Sequence, residues 1–172
     1  RYLRVWFSSD GTTFTHLSPD RRFAAVPYAL QAQEAANAWS LSGNDGTMAG
    51  AHFLGTTDDQ PLELWVDAAR ALRLEPDAIS PNIIAGQGQN HVTAGVHGAT
   101  IGGGGEIWYA NRVTDHYGSV SGGLNNQAGD NTGTTDDACY ATVGGGDSNT
   151  AGASFATVSG GYSNTAGGGY AT

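Results

Sequence analysis

Tyr140-Ala141-Thr142-Val143-Gly144-Gly145-Gly146 recurs fifteen residues later as Phe155-Ala156-Thr157-Val158-Ser159-Gly160-Gly161, and Tyr170-Ala171-Thr172 opens the unit again. Inside the unit, Ser148-Asn149-Thr150-Ala151-Gly152 matches Ser163-Asn164-Thr165-Ala166-Gly167. Self-similarity at a short fixed period restricts the chain to folds in which each unit stacks on a copy of itself. Each unit offers two stretches that read as strands, Tyr-Ala-Thr-Val and Ser-Asn-Thr-Ala. Its glycines are suited to corners, where positive φ or close backbone approach is needed.

Earlier copies carry insertions. Tyr117-Gly118-Ser119-Val120-Ser121-Gly122-Gly123 precedes Asn126-Gln127-Ala128-Gly129, after which eight residues, Asn131 to Ala138, intervene. Ala99-Thr100-Ile101-Gly102-Gly103-Gly104 is another copy, and Asn82-Ile83-Ile84-Ala85-Gly86 with Asn90 and Val92 is the weakest. The apolar anchors are Ile84, Ile101, Val120, Val143 and Val158. This pattern predicts a mainly β fold: a Gly-rich parallel β-roll, or β-solenoid, over residues 78–172. Its coils have about fifteen residues, with insertions near 105–116 and 130–139, and it breaks off mid-repeat. The aromatics Tyr117, Tyr140, Phe155 and Tyr170 are expected, with the anchors, in the roll core or between chains. Each coil buries roughly one Val and one or two Ala, at about 1.5–3 kcal/mol per large apolar side chain. That falls well short of the ordering cost of a Gly-rich coil at about 1–2 kcal/mol per residue. Burial between chains is therefore expected to complete the balance.

Of the 27 glycines, 22 lie beyond residue 77, so residues 1–77 follow other rules. Tyr2 to Phe7 reads as a strand and Ser8-Ser9-Asp10-Gly11 as a turn. Thr12 to Leu17 can return as a second strand that Ser18-Pro19-Asp20 breaks. Pro27 suits a helix start, and the Ala-rich run that follows predicts a short helix near 28–38. Leu62, Leu64 and Val66, then Leu72 and Leu74, alternate with polar or aromatic residues, predicting a hairpin near 61–75, with a helix over Val66 to Leu74 as the competing reading. Residues 1–77 are expected to cap or join the roll.

Charge narrows the partners. The chain carries seven Arg and no Lys against sixteen carboxylates, a formal net charge of −9. Nucleic-acid binding needs clustered cations, so it is not expected. Neither is a membrane-spanning helix, since no run of about 18 apolar residues occurs. The single Cys, Cys139, leaves an interchain disulfide or a small buried residue as its two readings.

On Ala141-Thr142-Val143-Gly144 with Ala151-Gly152, and on Ala156-Thr157-Val158 with Ala166 and Gly167, the chain resembles the head domains of trimeric autotransporter adhesins. The resemblance covers residues 82–172. It implies a left-handed parallel β-roll, a homotrimer and a place on a bacterial cell surface, outside the cell. Leu17-Ser18-Pro19 and Val26-Pro27-Tyr28-Ala29-Leu30 are similar to junctions in bacterial surface proteins and phage-tail-like fibres. The expected role is a structural segment of an extracellular fibre or adhesin. A receptor-binding tail fibre of a phage or contractile particle is the alternative, and a carbohydrate-active β-helix enzyme is third.

The chemistry-bearing residues are sparse. None of the five His forms an HExxH pattern; His91 and His97 could approach across a coil edge. Asp130, Asp136 and Asp137 in the second insertion are weak metal candidates beside the reading of a solvated acidic loop. Gly102 to Gly105 lack the Lys of a phosphate loop. No clustered carboxylates of a glycosidase are apparent, so neither enzyme activity nor a cofactor is expected. Trp108, Tyr109 and Tyr162 are the candidate ligand contacts, because aromatic tips stack on sugar rings or dock partners such as a surface glycan or a matrix protein.

Overall fold

The computed structural model describes residues 2–22, 39–40 and 42–172, with no side-chain description for residues 21 and 22. The helix expected near 28–38 lies outside the described residues. The chain divides into two units, Arg1–Leu54 and Gly55–Thr172. In the first unit, β1 (Tyr2–Phe7) pairs antiparallel with β2 (Thr15–Arg22) in a two-stranded ribbon. The connecting turn is held by Asp10. Its carboxylate accepts from Thr12 N (2.9 Å), Thr13 N (2.8 Å) and the Ser8 hydroxyl (2.9 Å), which together hold its pKa well below the usual range. Ser18-Pro19-Asp20 does not end the second strand as expected. The pairing jumps from Val5 with Leu17 to Leu3 with Arg21, an irregularity that carries the proline past its neighbour. Both strands of such a ribbon are edges, where a missing N–H is tolerated.

The second unit is the parallel β-solenoid that the repeat predicts. The hairpin of β3 (Leu62–Val66) and β4 (Ala69–Glu75) pairs antiparallel and leads into β5 (Asn82–Ala85). Five coils follow. Their first strands are β5, β7 (Thr100–Ile101), β9 (Ser119–Val120), β11 (Thr142–Val143) and β13 (Thr157–Val158). Their second strands are β6 (His91–Val92), β8 (Arg112–Val113), β10 (Gln127–Ala128), β12 (Thr150–Ala151) and β14 (Thr165–Ala166). The first set, extended by β4 and β3, makes a seven-stranded sheet, and the second set a five-stranded sheet. Ile84, Ile101, Val120, Val143 and Val158 stand in register and are buried. Val92, Val113, Ala128, Ala151 and Ala166 face them from the second sheet. Asn111 and β8 fall inside the stretch near 105–116 expected as an insertion. They belong to the coil itself, so the inserted residues end before Asn111.

A second interior column was not anticipated. Asn90, Asn111, Asn126 and Asn149 are buried, and each side-chain carbonyl accepts the backbone N–H of the next Asn at 2.9–3.0 Å, ending on Asn164. Each amide nitrogen donates to glycine carbonyls at the same corner, as Asn126 Nδ2 does to Gly122 O (2.8 Å) and Gly146 O (2.9 Å). Buried backbone groups need such partners: the side chain supplies the acceptor for the next Asn N–H, and it adds a second donor to corner carbonyls such as Gly146 O, which also accepts from Leu124 N (2.9 Å).

The glycines beside this column leave no room for a side chain. Gly86, Gly104, Gly123 and Gly146 all have positive φ, and a Cβ on any of them would lie 2.0–2.5 Å from a carbonyl oxygen of the next coil. At the start of the solenoid the hairpin replaces a missing coil. Arg70 donates to the carbonyls of Gly88 (2.7 Å) and Asn90 (3.2 Å), and Glu63 lies between Arg70 (3.7 Å) and Arg73 (3.3 Å). A sheet end that would otherwise present open acceptors is closed by charge.

Two substitutions test this account. Gly123→Ala is expected to destabilise the protein by roughly 3 kcal/mol or more, through steric clash and positive φ. Gly88→Ala, with nothing within 4 Å of its Cβ, is the neutral control. Asn126→Ala takes the partner from the buried Asn149 N–H and from Gly122 O, while Gly146 O keeps the Leu124 N–H, and is expected to cost about 3 kcal/mol. Urea unfolding midpoints at constant m-value measure both.

Candidate functional site

Two external features and one internal one contain the residues with chemical potential. The first feature is a column of rings. Tyr117, Tyr140, Phe155 and Tyr170 stack with centroids 5.1, 4.9 and 5.0 Å apart and planes within 12° of parallel. Each takes positive φ, between 58° and 63°, at a turn position that Gly or Asn usually fills. Each backbone N–H reaches the previous coil, as Tyr140 N does to His116 O at 3.1 Å. The rings lie outside the solenoid rather than in its core, because a side chain at positive φ on this corner points away from the interior columns. Stacking contributes about 0.5–1.5 kcal/mol per pair. That offsets part of the backbone strain of about 1–3 kcal/mol per residue. The ring faces are turned to one another, so the column presents edges to solvent.

His97 and His116 extend the stack at its start, 3.8 Å apart, with His97 also edge-on to Tyr117 at 5.0 Å. His91, which could approach His97 across a coil edge, sits on β6 and bonds Gln89 O, whereas His97 stacks on His116. Cys139 is a free, half-buried thiol whose pKa is raised by burial and by the neighbouring Asp115 carboxylate.

The second feature is the corner edge carrying Trp108, Tyr109 and Tyr162. The first insertion folds as a tight turn in which Tyr109 N donates to Glu106 O (3.0 Å) and Trp108 N to Gln89 Oε1 (3.0 Å). Asn125 N donates to Tyr109 O (3.1 Å), and Leu124, Asp147 and Tyr162 bridge in parallel one coil apart. The three aromatics therefore share one edge. Tyr162 is 75% exposed and Trp108 84%.

The internal feature is Asp115. It is fully buried, as are Val96 and Ala138. Its carboxylate accepts from Thr114 Oγ1 (2.8 Å), Asp130 N (3.2 Å) and Ala138 N (3.2 Å). It thus fastens both ends of the second insertion. Asp115, Asp130 and Asp137 bring carboxylate oxygens within 4.8 Å of one another, the one such grouping among the described residues with metal-ligand potential. Asp136 is not part of it and bonds the Thr134 hydroxyl instead. Beside the cluster lies a recess of about 150 Å³ lined by Thr93, Thr114 and residues 131–135. Asp115 itself was invisible in the repeat, because the insertion separates it from the matching alanines.

Comparison of the chain with protein-family models, with curated proteins and with solved structures gives no match.

Burial, and secondarily the Asp130 carboxylate, hold the Asp115 pKa above the ordinary 3.8, against the pull of its three hydrogen bonds. A raised folded value means that the native state binds the proton more tightly than the unfolded chain. The stability this group contributes is then full below the ordinary value and is lost as pH rises through the raised one. Relative to Asp115→Asn, the wild type is expected to lose stability as pH rises from the ordinary carboxylate range. A series of urea midpoints against pH for the two proteins reads this difference directly.

Proposed function

We propose that the chain is a structural segment of an extracellular fibre or surface adhesin, a stiff trimeric rod used for attachment. The observation that carries this reading is the continuity of the interior columns. Val or Ile in one column, Val or Ala in the column facing it, and Asn in a third hand their contacts from coil to coil through all five coils, so the repeat residues are spent on stacking. Such a solenoid lengthens without changing its cross-section. The scarcity of charged side chains and the absence of Lys fit a polar, hydroxyl- and amide-covered exterior.

Self-association is supported by the outward face of the seven-stranded sheet. Opposite residues of paired strands share a face. Leu62 pairs with Leu74, Leu74 with Ile83, and Leu64 with Leu72, so five large apolar side chains stand together outside the solenoid. Leu64 and Ile83 are about half exposed. The same face continues along the coils as Thr100, Ser119, Thr142 and Thr157, small residues that allow close approach of a neighbouring roll. In the first unit, Tyr2, Leu3, Val5, Trp6 and Phe7 are exposed on a two-stranded ribbon. A ribbon of that kind is marginal alone and gains stability from packing against further chains.

Light scattering over a range of concentrations is expected to give a mass three times the 17.6 kDa of the chain. Ile83→Glu, which places a charge on the apolar face, is expected to lower that mass with the β circular dichroism retained. A folded wild-type monomer at all concentrations would overturn the trimeric rod.

A further inference from the structure

Trp108 is unlike the other aromatics at positive φ. Tyr117, Tyr140, Phe155 and Tyr170 each rest against a ring on a neighbouring coil. Trp108 has φ 74° and is 84% exposed, and no ring of the described residues lies against it. Its turn would be made more easily by glycine, since positive φ costs a bulky residue about 1–3 kcal/mol. No ring contact among the described residues repays that cost, and the Trp108 N–H bond to Gln89 would be made equally by glycine; strain of this kind gathers where a ligand is gripped.

The edge that Trp108 begins has a regular layout. Tyr109, then Leu124 and Asn125, then Asp147 and Ser148, then Tyr162 and Ser163 occupy successive coils, joined by Ser148 N to Leu124 O (2.9 Å) and Ser163 N to Asp147 O (2.9 Å). The aromatic tip and Tyr162 are thus three coil steps apart, about 14 Å at the spacing of neighbouring strands. Between them runs a hydrogen-bonded polar line, Asn125 Nδ2 to Ser148 Oγ (3.2 Å) and Ser148 Oγ to Asp147 Oδ1 (2.8 Å). Asp147 Oδ2 takes no hydrogen bond from the described residues and remains an acceptor. Aromatic platforms at both ends with amide, hydroxyl and carboxylate between them match a chain of pyranose rings. The rings offer C–H faces to stack, and the hydroxyls between them pair with the polar line. The repeat of such a chain is close to the coil spacing. The net charge of −9, with exposed Glu106 and half-buried Asp147 at the edge itself, disfavours an anionic polymer.

We propose that this edge binds an uncharged oligosaccharide lying parallel to the solenoid axis, stacked on Trp108 at one end and on Tyr162 at the other. The proposal rests on the attachment role above and supplies its ligand class. The test uses the whole chain with cellohexaose and maltohexaose, uncharged hexaoses of opposite anomeric geometry, followed by titration calorimetry and tryptophan fluorescence. One of the two is expected to bind, and its disaccharide, which reaches one platform only, to bind at least about tenfold more weakly. Trp108→Gly removes the ring and suits the backbone, so stability is expected to hold or rise while affinity falls at least about tenfold; Tyr162→Ala is expected to weaken binding similarly. The proposal is overturned by failure of both hexaoses to bind at millimolar concentration, or by binding that both substitutions leave unchanged. It is overturned equally if Trp108→Gly lowers the native mass, which would make the tip a contact between copies. Light scattering on the same samples separates the two readings. A trimer that binds neither hexaose loses the sugar edge and keeps the fibre, whereas a monomer that binds keeps the edge and loses the fibre.

Discussion

The buried asparagine column is the interaction on which the rest of the solenoid depends. Strands of two residues supply few ladder hydrogen bonds, and a core of Val and Ala has little apolar surface to bury. The chain must therefore satisfy its corner carbonyls and amides by other means. An asparagine can do both at once, with a carbonyl that accepts from the next coil and an amide that donates to two glycine oxygens. Asn111, Asn126 and Asn149 do this while buried, where a satisfied polar group stabilises and an orphaned one is costly. Repetition along the axis makes each coil both donor and acceptor to its neighbours, and a rod follows from that reciprocity.

Steric constraint sets the remaining pattern. At one corner the backbones of successive coils approach too closely for a Cβ, and glycine is required at positions such as Gly123 and Gly146. At the opposite corner the backbone again takes positive φ, but the side chain points outward and has space. There the chain places rings instead of glycine, and stacking along the axis offsets part of the strain. One backbone requirement thus has two chemical solutions, distinguished by where the Cβ points. Trp108 has the conformation without the stack, which is why it separates from the others as a candidate for contact outside the chain.

Much of this was legible beforehand for a definite reason. A fifteen-residue period, two strand-like stretches and glycine-rich corners admit few folds, so Ile84, Ile101, Val120, Val143 and Val158 could be aligned as one column from sequence. The asparagine column left a signal of the same kind: Asn stands two residues before Val92, Val113, Ala128, Ala151 and Ala166. That signal is masked because Ser-Asn-Thr-Ala also reads as a strand, and because an insertion precedes Asn111. Asp115 and Arg70 left no periodic signal, since each acts once, at an insertion and at the end of the sheet. Trp108, Tyr109 and Tyr162 could be singled out as aromatics, but their common edge depends on how two insertions are looped out.

The sequence by itself determined the parallel β-solenoid, its coil length and the column of Ile84, Ile101, Val120, Val143 and Val158, because these follow from periodicity and side-chain size. The tertiary structure alone decided that the repeated aromatics stack outside the core. It also decided that an arginine and a glutamate close the first coil, that Asp115 holds the acidic insertion, and that distant aromatics line one edge. Each of these depends on the direction of a Cβ at positive φ or on a pairing between residues far apart in the chain, which local pattern does not encode.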